Sequence, residues 1–410
     1  MTRDLPTPLL RLDWLCLLLA LGSVTAQAHE TAPDAGHSFT PILTVGARYL
    51  DSDLPWPGAR LPGVLESGSQ AAWKQGLAEE YADIGVQADW RQWRAMLKGS
   101  WHGPDGGNDF SIEQAWVQRS VAAGEDRELA VRAGRSQVPF GLLNREHAHN
   151  HDFGLAPLVY RAAIGEGWRD DGLNARLDWE SGWFAGGGLY AGDSFPGASA
   201  SGPGAALLQG GWEQDDAKLM VSFARLEADG RPTKSTSLIG HSHGQSVCHA
   251  PVANEVCLEG RSELASLAGV WTSRQWPVSL DGEAWIKRET GDLFSTNGNA
   301  EYKGTVEGGW VTAHWTFCTG WQAMLRGEGM SANHRLNGPG SALVANEAGL
   351  GNADNTLTRV GLGLNWRPDS VQRISLEVHQ EDTGAAKANL IFLTRYQVDL
   401  GGWLSKRKMP

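Results

Sequence analysis

The sequence predicts an all-β protein, a transmembrane antiparallel β-barrel of about 16 strands with short periplasmic turns and long extracellular loops. Segments of about ten residues alternate apolar and polar side chains, and the connectors between them alternate between short and long. Because successive side chains of a strand point to opposite faces, this alternation gives each strand one apolar and one polar face. Strands of this kind, joined by connectors of unequal length, are typical of outer-membrane barrels.

The N-terminal residues 1–28 resemble a cleaved secretory signal peptide. Arg3 and Arg11 precede the apolar stretch 14–21, and Ala26-Gln27-Ala28 supplies small residues at a cleavage position. The apolar stretch is too short to span a membrane as a helix. We therefore expect a chain exported to the outer membrane of a Gram-negative bacterium. Residues 29–38 would form a periplasmic segment, 39–403 the barrel and 404–410 a basic periplasmic tail.

Composition agrees with a barrel in contact with outer-membrane lipid. The chain of 410 residues contains 52 glycines and 19 tryptophans. Tryptophan concentrates at membrane interfaces, where it forms the aromatic girdles of membrane barrels. The formal net charge of −12 argues against nucleic acid as a partner.

The predicted strands are recognised by their period-two pattern. In the segment 81–90, Ile84, Val86 and Trp90 share one face, whereas Asp83 and Asp89 lie on the other. The sixteen segments are 39–50, 81–90, 93–101, 110–119, 128–135, 172–179, 183–192, 205–213, 218–227, 262–274, 278–288, 302–317, 321–331, 356–367, 371–381 and 389–403. Seven connectors between them are short and eight are longer or polar, among them 289–301, as expected when both chain ends are periplasmic.

The polar faces of these strands carry ionisable residues of both signs. Sixteen strands enclose an aqueous channel rather than a packed core, so we expect a water-filled lumen that conducts small hydrophilic solutes or ions passively, with no cofactor required and no enzymatic activity. The predicted lumen-lining residues are Arg94, Lys98, Arg132, Arg176, Asp178, Arg326, Glu328, Arg373 and Glu377, together with Arg48, Asp83, Asp89 and Arg395.

Cysteine spacing predicts one disulfide in an extracellular loop. Cys248 and Cys257 are nine residues apart in a polar connector, and the periplasm is oxidising. Closing so short a loop would stabilise the fold by about 2–3 kcal/mol in the chain-entropy model. Cys318 is then left as a free thiol.

Histidines cluster in two of the long connectors. His147, His149 and His151 lie between Glu146 and Asp152, and a second group contains His241, His243 and His249. Imidazole is a good ligand for zinc and copper, so the clusters predict transient binding of these metals. The channel would then serve divalent-metal uptake. The alternative is that both loops are merely polar and solvated.

Two further functions are weighed against a channel. Gly240-His241-Ser242-His243-Gly244 matches the G-x-S-x-G pattern of hydrolases, but no amphipathic helix follows it. A barrel lipid hydrolase is therefore one alternative, and a non-conducting structural or adhesion barrel is another.

Two stretches carry a resemblance to a known family. Residues 112–117, Ile-Glu-Gln-Ala-Trp-Val, and 131–142, which include Gly134-Arg135 and Pro139-Phe140-Gly141, resemble the phosphate-selective porin O/P family. The stretch 169–173, Arg-Asp-Asp-Gly-Leu, is similar to the point where that family re-enters the barrel. The resemblance implies a homotrimer of sixteen-stranded barrels whose third loop folds inward as a constriction. That constriction would contain Pro139, Phe140, Gly141, Glu146, His147, His149, His151 and Asp152, and its acidic and histidine side chains would favour cations weakly.

Overall fold

The barrel closes as the sequence predicts. The computed structural model describes residues 37–54, 61–66, 73–103, 110–165, 167–233, 248, 250–251, 255–382, 384 and 388–402. In this part of the chain, sixteen antiparallel strands form one closed sheet in which each pairs with its neighbours in sequence, and the first pairs with the last. The strands are β1 (His37–Ser52), β2 (Gly76–Trp90), β3 (Trp93–His102), β4 (Phe110–Ala122), β5 (Arg127–Gln137), β6 (Arg169–Trp179), β7 (Trp183–Tyr190), β8 (Ala205–Gln214), β9 (Ala217–Pro232), β10 (Cys257–Thr272), β11 (Val278–Ser295), β12 (Gly298–Cys318), β13 (Trp321–Asn337), β14 (Asp354–Trp366), β15 (Gln372–Asp382) and β16 (Asn389–Asp399).

The outer surface of the barrel is apolar. Ile84, Leu173 and Leu362, which the alternation assigns to the outside, are 60%, 55% and 59% exposed. Hydrocarbon offers no partner for a backbone N–H or C=O, so a sheet in a bilayer must close and leave no edge. Apolar exteriors and complete strand pairing together satisfy that condition.

Exposed tryptophans cluster beside the short turns. Trp90 and Trp93 flank the first turn, and Trp183 begins the strand after another. Three more exposed tryptophans lie in or beside other short turns: Trp271, Trp276 and Trp315. Such a ring is the aromatic girdle that marks a membrane–water boundary.

One predicted long loop is wrong. The connector assigned to 289–301 is a two-residue turn, because β11 ends at Ser295 and β12 begins at Gly298. These strands contain 18 and 21 residues, more than the 9–11 that cross a bilayer. Polar residues such as Glu289 and Asp292 continue the ladder, because strand pairing outside hydrocarbon does not need an apolar face.

Helices are short and lie in the loops. Helix α1 (Leu158–Ile164) belongs to the connector between β5 and β6, and α2 (Ser341–Glu347) to the one between β13 and β14. No helix within the described ranges has the length and apolarity needed to cross a bilayer.

Part of the lumen is a packed core, contrary to the expectation of a uniformly wet interior. The connector 138–168, called loop L3 from here on, folds into the barrel and buries Phe140, Leu158 and Ile164. These side chains pack against Trp285 and Trp310, which point inward from β11 and β12. The alternation does place these tryptophans on the inner face, but it does not show that a loop packs against them.

Candidate functional site

Loop L3 begins at the Pro139-Phe140-Gly141 motif. The Phe140 ring is fully buried and meets Trp285 edge-on at a centroid distance of 4.9 Å. Gly141 adopts φ +68°, and a Cβ at this position would lie 2.2 Å from a carboxylate oxygen of Glu283. That carboxylate accepts the backbone N–H of Leu142 at 3.2 Å. Glycine is therefore required where the chain turns from the wall into the lumen.

The two ends of loop L3 are joined by Asn144, which no sequence pattern indicates. Its Nδ2 donates to the carbonyl oxygens of Val138 and Trp168, at 2.7 and 2.8 Å. Its Oδ1 accepts from the backbone N–H of Trp168 and from the hydroxyl of Tyr160. Asn144 is fully buried, so these bonds form away from water and close the neck of the loop.

Arginines of the wall donate to the carbonyls of loop L3. Arg326 donates to Leu155 O at 2.6 Å, and Arg359 donates to Ala156 O. Arg395 donates to the carbonyl oxygens of the loop residues His151 and Asp152 at 3.0 and 3.2 Å. Arg373 likewise donates to His149 O at 2.8 Å. These bonds satisfy carbonyls of irregular backbone that would otherwise be buried without partners.

Glutamates of the same wall accept from the loop. Glu328 accepts the backbone N–H of Leu158 at 2.7 Å, and Glu377 accepts that of Gly154 at 2.9 Å. Arg359 also pairs with Glu328 at 2.9 Å. The wall of β13–β16 therefore provides hydrogen-bond donors for the carbonyls of loop L3 and acceptors for its N–H groups.

Several residues predicted to line a wet lumen are instead covered. Arg326, Glu328 and Glu377 point inward but are at most 8% exposed, because loop L3 lies on them. Lys98 is also buried and pairs with Asp83 at 3.0 Å. Arg48, Arg373 and Arg395, also predicted to line the lumen, are covered as well. Alternation tells which face a residue occupies, but not which distant segment covers that face.

The other five predicted residues, together with Glu213, which was not predicted, form a partly exposed strip. Their side chains point inward near the short turns of β2–β9 and carry both signs. The Arg94 side chain is 51% exposed and pairs with Asp89 at 2.6 Å. Arg176 pairs with Asp178, which is 42% exposed, at 2.6 Å. The polar strip, as we call it, consists of Asp89, Arg94, Arg132, Arg176, Asp178 and Glu213.

Three histidines meet where loop L3 approaches the wall. His147 and His149 of the loop stack with a centroid distance of 4.2 Å, and His102 of β3 lies 5.7 and 5.5 Å from them. One ring nitrogen from each lies within 4.8 Å of one from each of the others. Tyr81 stacks on the outer face of His149 at 3.7 Å. We call His102, His147 and His149 the histidine cluster.

A buried carboxylate of β4 supports this cluster. Glu113 lies 3.4 Å from His102 Nε2 and 3.1 Å from His147 Nε2. It also accepts a hydrogen bond from Ser111 at 2.6 Å and pairs with Arg169. Burial lowers the pKa of His149 well below its usual range, so this imidazole is neutral at pH 7.

His151 does not join the cluster, which corrects the predicted set of His147, His149 and His151. Its Nε2 lies 3.1 Å from Leu143 O, and its ring meets Tyr160 edge-on. Burial lowers the pKa of His151 to about 4. The spacing of two along the chain assumed an extended segment, but a 3₁₀ turn at Ala148–Asn150 reorients the third imidazole.

The other predicted site residues fall into separate groups. Cys248 and Cys257 form a disulfide, and Cys318 is a free cysteine. Glu146 is exposed, whereas Asp152 pairs with Arg367 at 3.1 Å. His241, His243, His249 and the Gly240–Gly244 pattern lie outside the described residues.

Comparisons with solved structures agree on the fold. OmpT of Vibrio cholerae, folded in vitro and in a trimer form, aligns with 89% of this chain and 99% of its own, at 12% identity and a TM-score of 0.55. The anion-selective porin from Comamonas acidovorans aligns with 88% of this chain and 99% of its own, at 11% identity and a TM-score of 0.53. OmpF of Salmonella typhi, in complex with daunomycin, aligns with 90% and 100%, at 11% identity and a TM-score of 0.52.

The chain therefore has the fold of an outer-membrane β-barrel. No family model matches the chain, and no curated protein matches it. The resemblance to the phosphate-selective porin O/P family therefore stays a prediction, although the inward fold of loop L3 agrees with what it implies.

Proposed function

We propose that this protein is a porin, a passive channel for small hydrophilic solutes or ions, and not an enzyme. The observation that carries this proposal is the polar strip. Its side chains lie on the inner face of a membrane barrel, yet Arg94, Asp178 and Glu213 remain 51%, 42% and 43% exposed. Charged groups inside a bilayer are costly unless they meet water, so the strip marks the wet part of the lumen.

Loop L3 narrows that wet part. Its apolar side chains fill the lumen beside β8–β14, while Arg145 of the loop faces the strip and donates to Gln209 at 3.2 Å. Solutes would pass between the loop and the strip, where charges of both signs contact them. A rigid constriction bordered by charged side chains sets both size and charge selectivity in pores.

Two finer proposals accompany the channel. OmpT of Vibrio cholerae, which shares this fold, has been solved in a trimer form, and this supports a homotrimer for this chain. Selectivity for cations, anions or phosphate is left to measurement, because the strip contains Arg94, Arg132 and Arg176 as well as three carboxylates.

Removing the positive charges of the strip tests the proposal. In planar bilayers under a salt gradient, Arg94→Gln/Arg132→Gln/Arg176→Gln should shift the reversal potential towards cation selectivity. A unit charge at 4 Å contributes about 1 kcal/mol even in water, so the cation-to-anion permeability ratio should rise on the order of 5-fold.

The matched control removes the same charge outside the lumen. Arg225, Arg261 and Arg288 are exposed on the outer face of β9, β10 and β11, and their triple replacement by Gln should leave the reversal potential unchanged. Equal shifts in the two triple variants, or no current from either folded protein, would refute a path along the strip.

A further inference from the structure

We propose that the histidine cluster is a binding site for a divalent transition metal, such as Zn²⁺, Cu²⁺ or Ni²⁺, that joins loop L3 to the barrel wall. The site differs from the one expected from sequence, because His102 of β3 replaces His151. It does not require that the barrel conducts, since its ligands are fixed by the packing of the loop on the wall.

Two ring nitrogens of the histidine cluster have no partner within the described ranges. His147 Nδ1 and His149 Nε2 are buried and have no hydrogen-bond partner among the described residues. A buried polar atom without a partner is costly and calls for an explanation such as a bound ion. Both atoms belong to rings that stack at a centroid distance of 4.2 Å.

Carboxylates lie behind the imidazoles of the cluster. Glu113 lies 3.1 Å from His147 Nε2 and 3.4 Å from His102 Nε2, and Glu80 lies 4.0 Å from His149 Nδ1. Metal-binding histidines usually turn their second nitrogen to a carboxylate, which fixes the tautomer and raises ligand basicity. For His147 and His149, this leaves Nδ1 and Nε2, the two atoms without partners, to face a metal.

The spacing and the chemistry of the cluster suit a transition metal. Zinc binds imidazole at about 2.0–2.1 Å, which separates nitrogens of a tetrahedral site by about 3.4 Å. One nitrogen from each ring of the cluster lies within 4.8 Å of the others. Side-chain movements of about 1 Å would therefore bring them to the spacing of a zinc site. Three imidazoles suit borderline metals and do not suit Ca²⁺ and Mg²⁺, which require oxygen ligands.

The site is reachable and it bridges two parts of the fold. The side chains of His102 and His147 are 18% and 14% exposed. One ligand comes from β3 and two from loop L3. A bound metal would therefore hold the loop against β3, beside the carbonyl of His149 to which Arg373 and Arg395 donate, and restrict its movement in the channel.

Metal binding to the folded full chain tests the proposal. The protein is stripped with a chelator, and Zn²⁺ binding is measured by calorimetry; Cu²⁺ is used for electron paramagnetic resonance. We expect one equivalent coordinated by imidazole nitrogens. His102→Ala, His147→Ala and His149→Ala should each weaken it at least about 10-fold, and Glu113→Gln should weaken it by about 10- to 100-fold.

Two controls identify the site. His37→Ala removes an exposed imidazole of β1 that pairs in register with Trp90, at the opposite end of β2 from the cluster, and should leave binding unchanged. His241→Ala/His243→Ala/His249→Ala removes the other predicted cluster and should also preserve this equivalent. Loss of binding in that variant alone, or no bound metal in folded protein, would overturn the proposal.

The metal site can be tested even if the substituted proteins do not fold. Nitrogen hyperfine splitting from Cu²⁺ on the unmodified protein reports imidazole coordination without any substitution. A spectrum with oxygen ligands only would count against the site. Conductance of the metal-free protein is recorded separately, so a failure of the metal site is distinguishable from a failure of the channel.

Discussion

Arg359→Ala should lower the free energy of unfolding of the barrel by about 3–5 kcal/mol, because it removes a buried positive charge that two buried carboxylates share. Arg359 is 1% exposed and pairs with Glu328 at 2.9 Å and Glu381 at 3.1 Å. It also donates to Ala156 O in loop L3. Denaturant titration followed by tryptophan fluorescence measures the loss.

The same substitution should also loosen loop L3. Without Arg359, the loop carbonyl of Ala156 loses its donor, and single-channel recordings should show larger and noisier current. The control is Arg225→Ala, whose 3.3 Å pair with Glu227 is 50% and 44% exposed and is worth about 0.2–1 kcal/mol. If Arg359→Ala costs no more than this control, the wall does not hold the loop as described.

Leu362→Arg should prevent or slow insertion of the barrel into bilayers. Leu362 is 59% exposed on β14 and pairs in register with Leu325 and Val378, which are also exposed and apolar. An arginine that faces lipid near the bilayer midplane costs about 2–4 kcal/mol. Folding into lipid vesicles, followed by the altered electrophoretic mobility of the folded barrel, measures the effect.

A matched substitution separates position from charge. Gln92→Arg introduces the same side chain in the exposed turn between β2 and β3, outside hydrocarbon, and should change stability by less than about 0.5 kcal/mol. Equal folding yields for both variants would show that the face containing Leu362 does not contact lipid.

The fold was predictable because its signal is local. The alternation in 81–90 depends only on neighbouring residues, and β2 contains that segment with Ile84 outside and Asp83 inside. Strand ends were less predictable. β11 and β12 continue beyond the predicted boundaries, because polar residues can pair in a ladder outside the membrane as readily as they form a loop.

The site was predictable only in part because it depends on distant contacts. His147 and His149 were recognised from spacing, but their partner His102 lies more than 40 residues earlier in the chain. Arg326 and Glu328 were correctly placed on the inner face, yet nothing local showed that loop L3 covers them. A polar residue such as Asn144 carries no pattern that reveals four hydrogen bonds at the neck of the loop.

Single-channel recording of the full chain and of a variant lacking residues 146–163 tests most directly whether loop L3 partly fills a wet barrel. The unmodified protein should conduct in discrete steps, and the shortened protein should conduct more, because the same lumen then holds less protein. Folded, inserted protein that passes no current in either form, or equal conductance in both, would contradict this account.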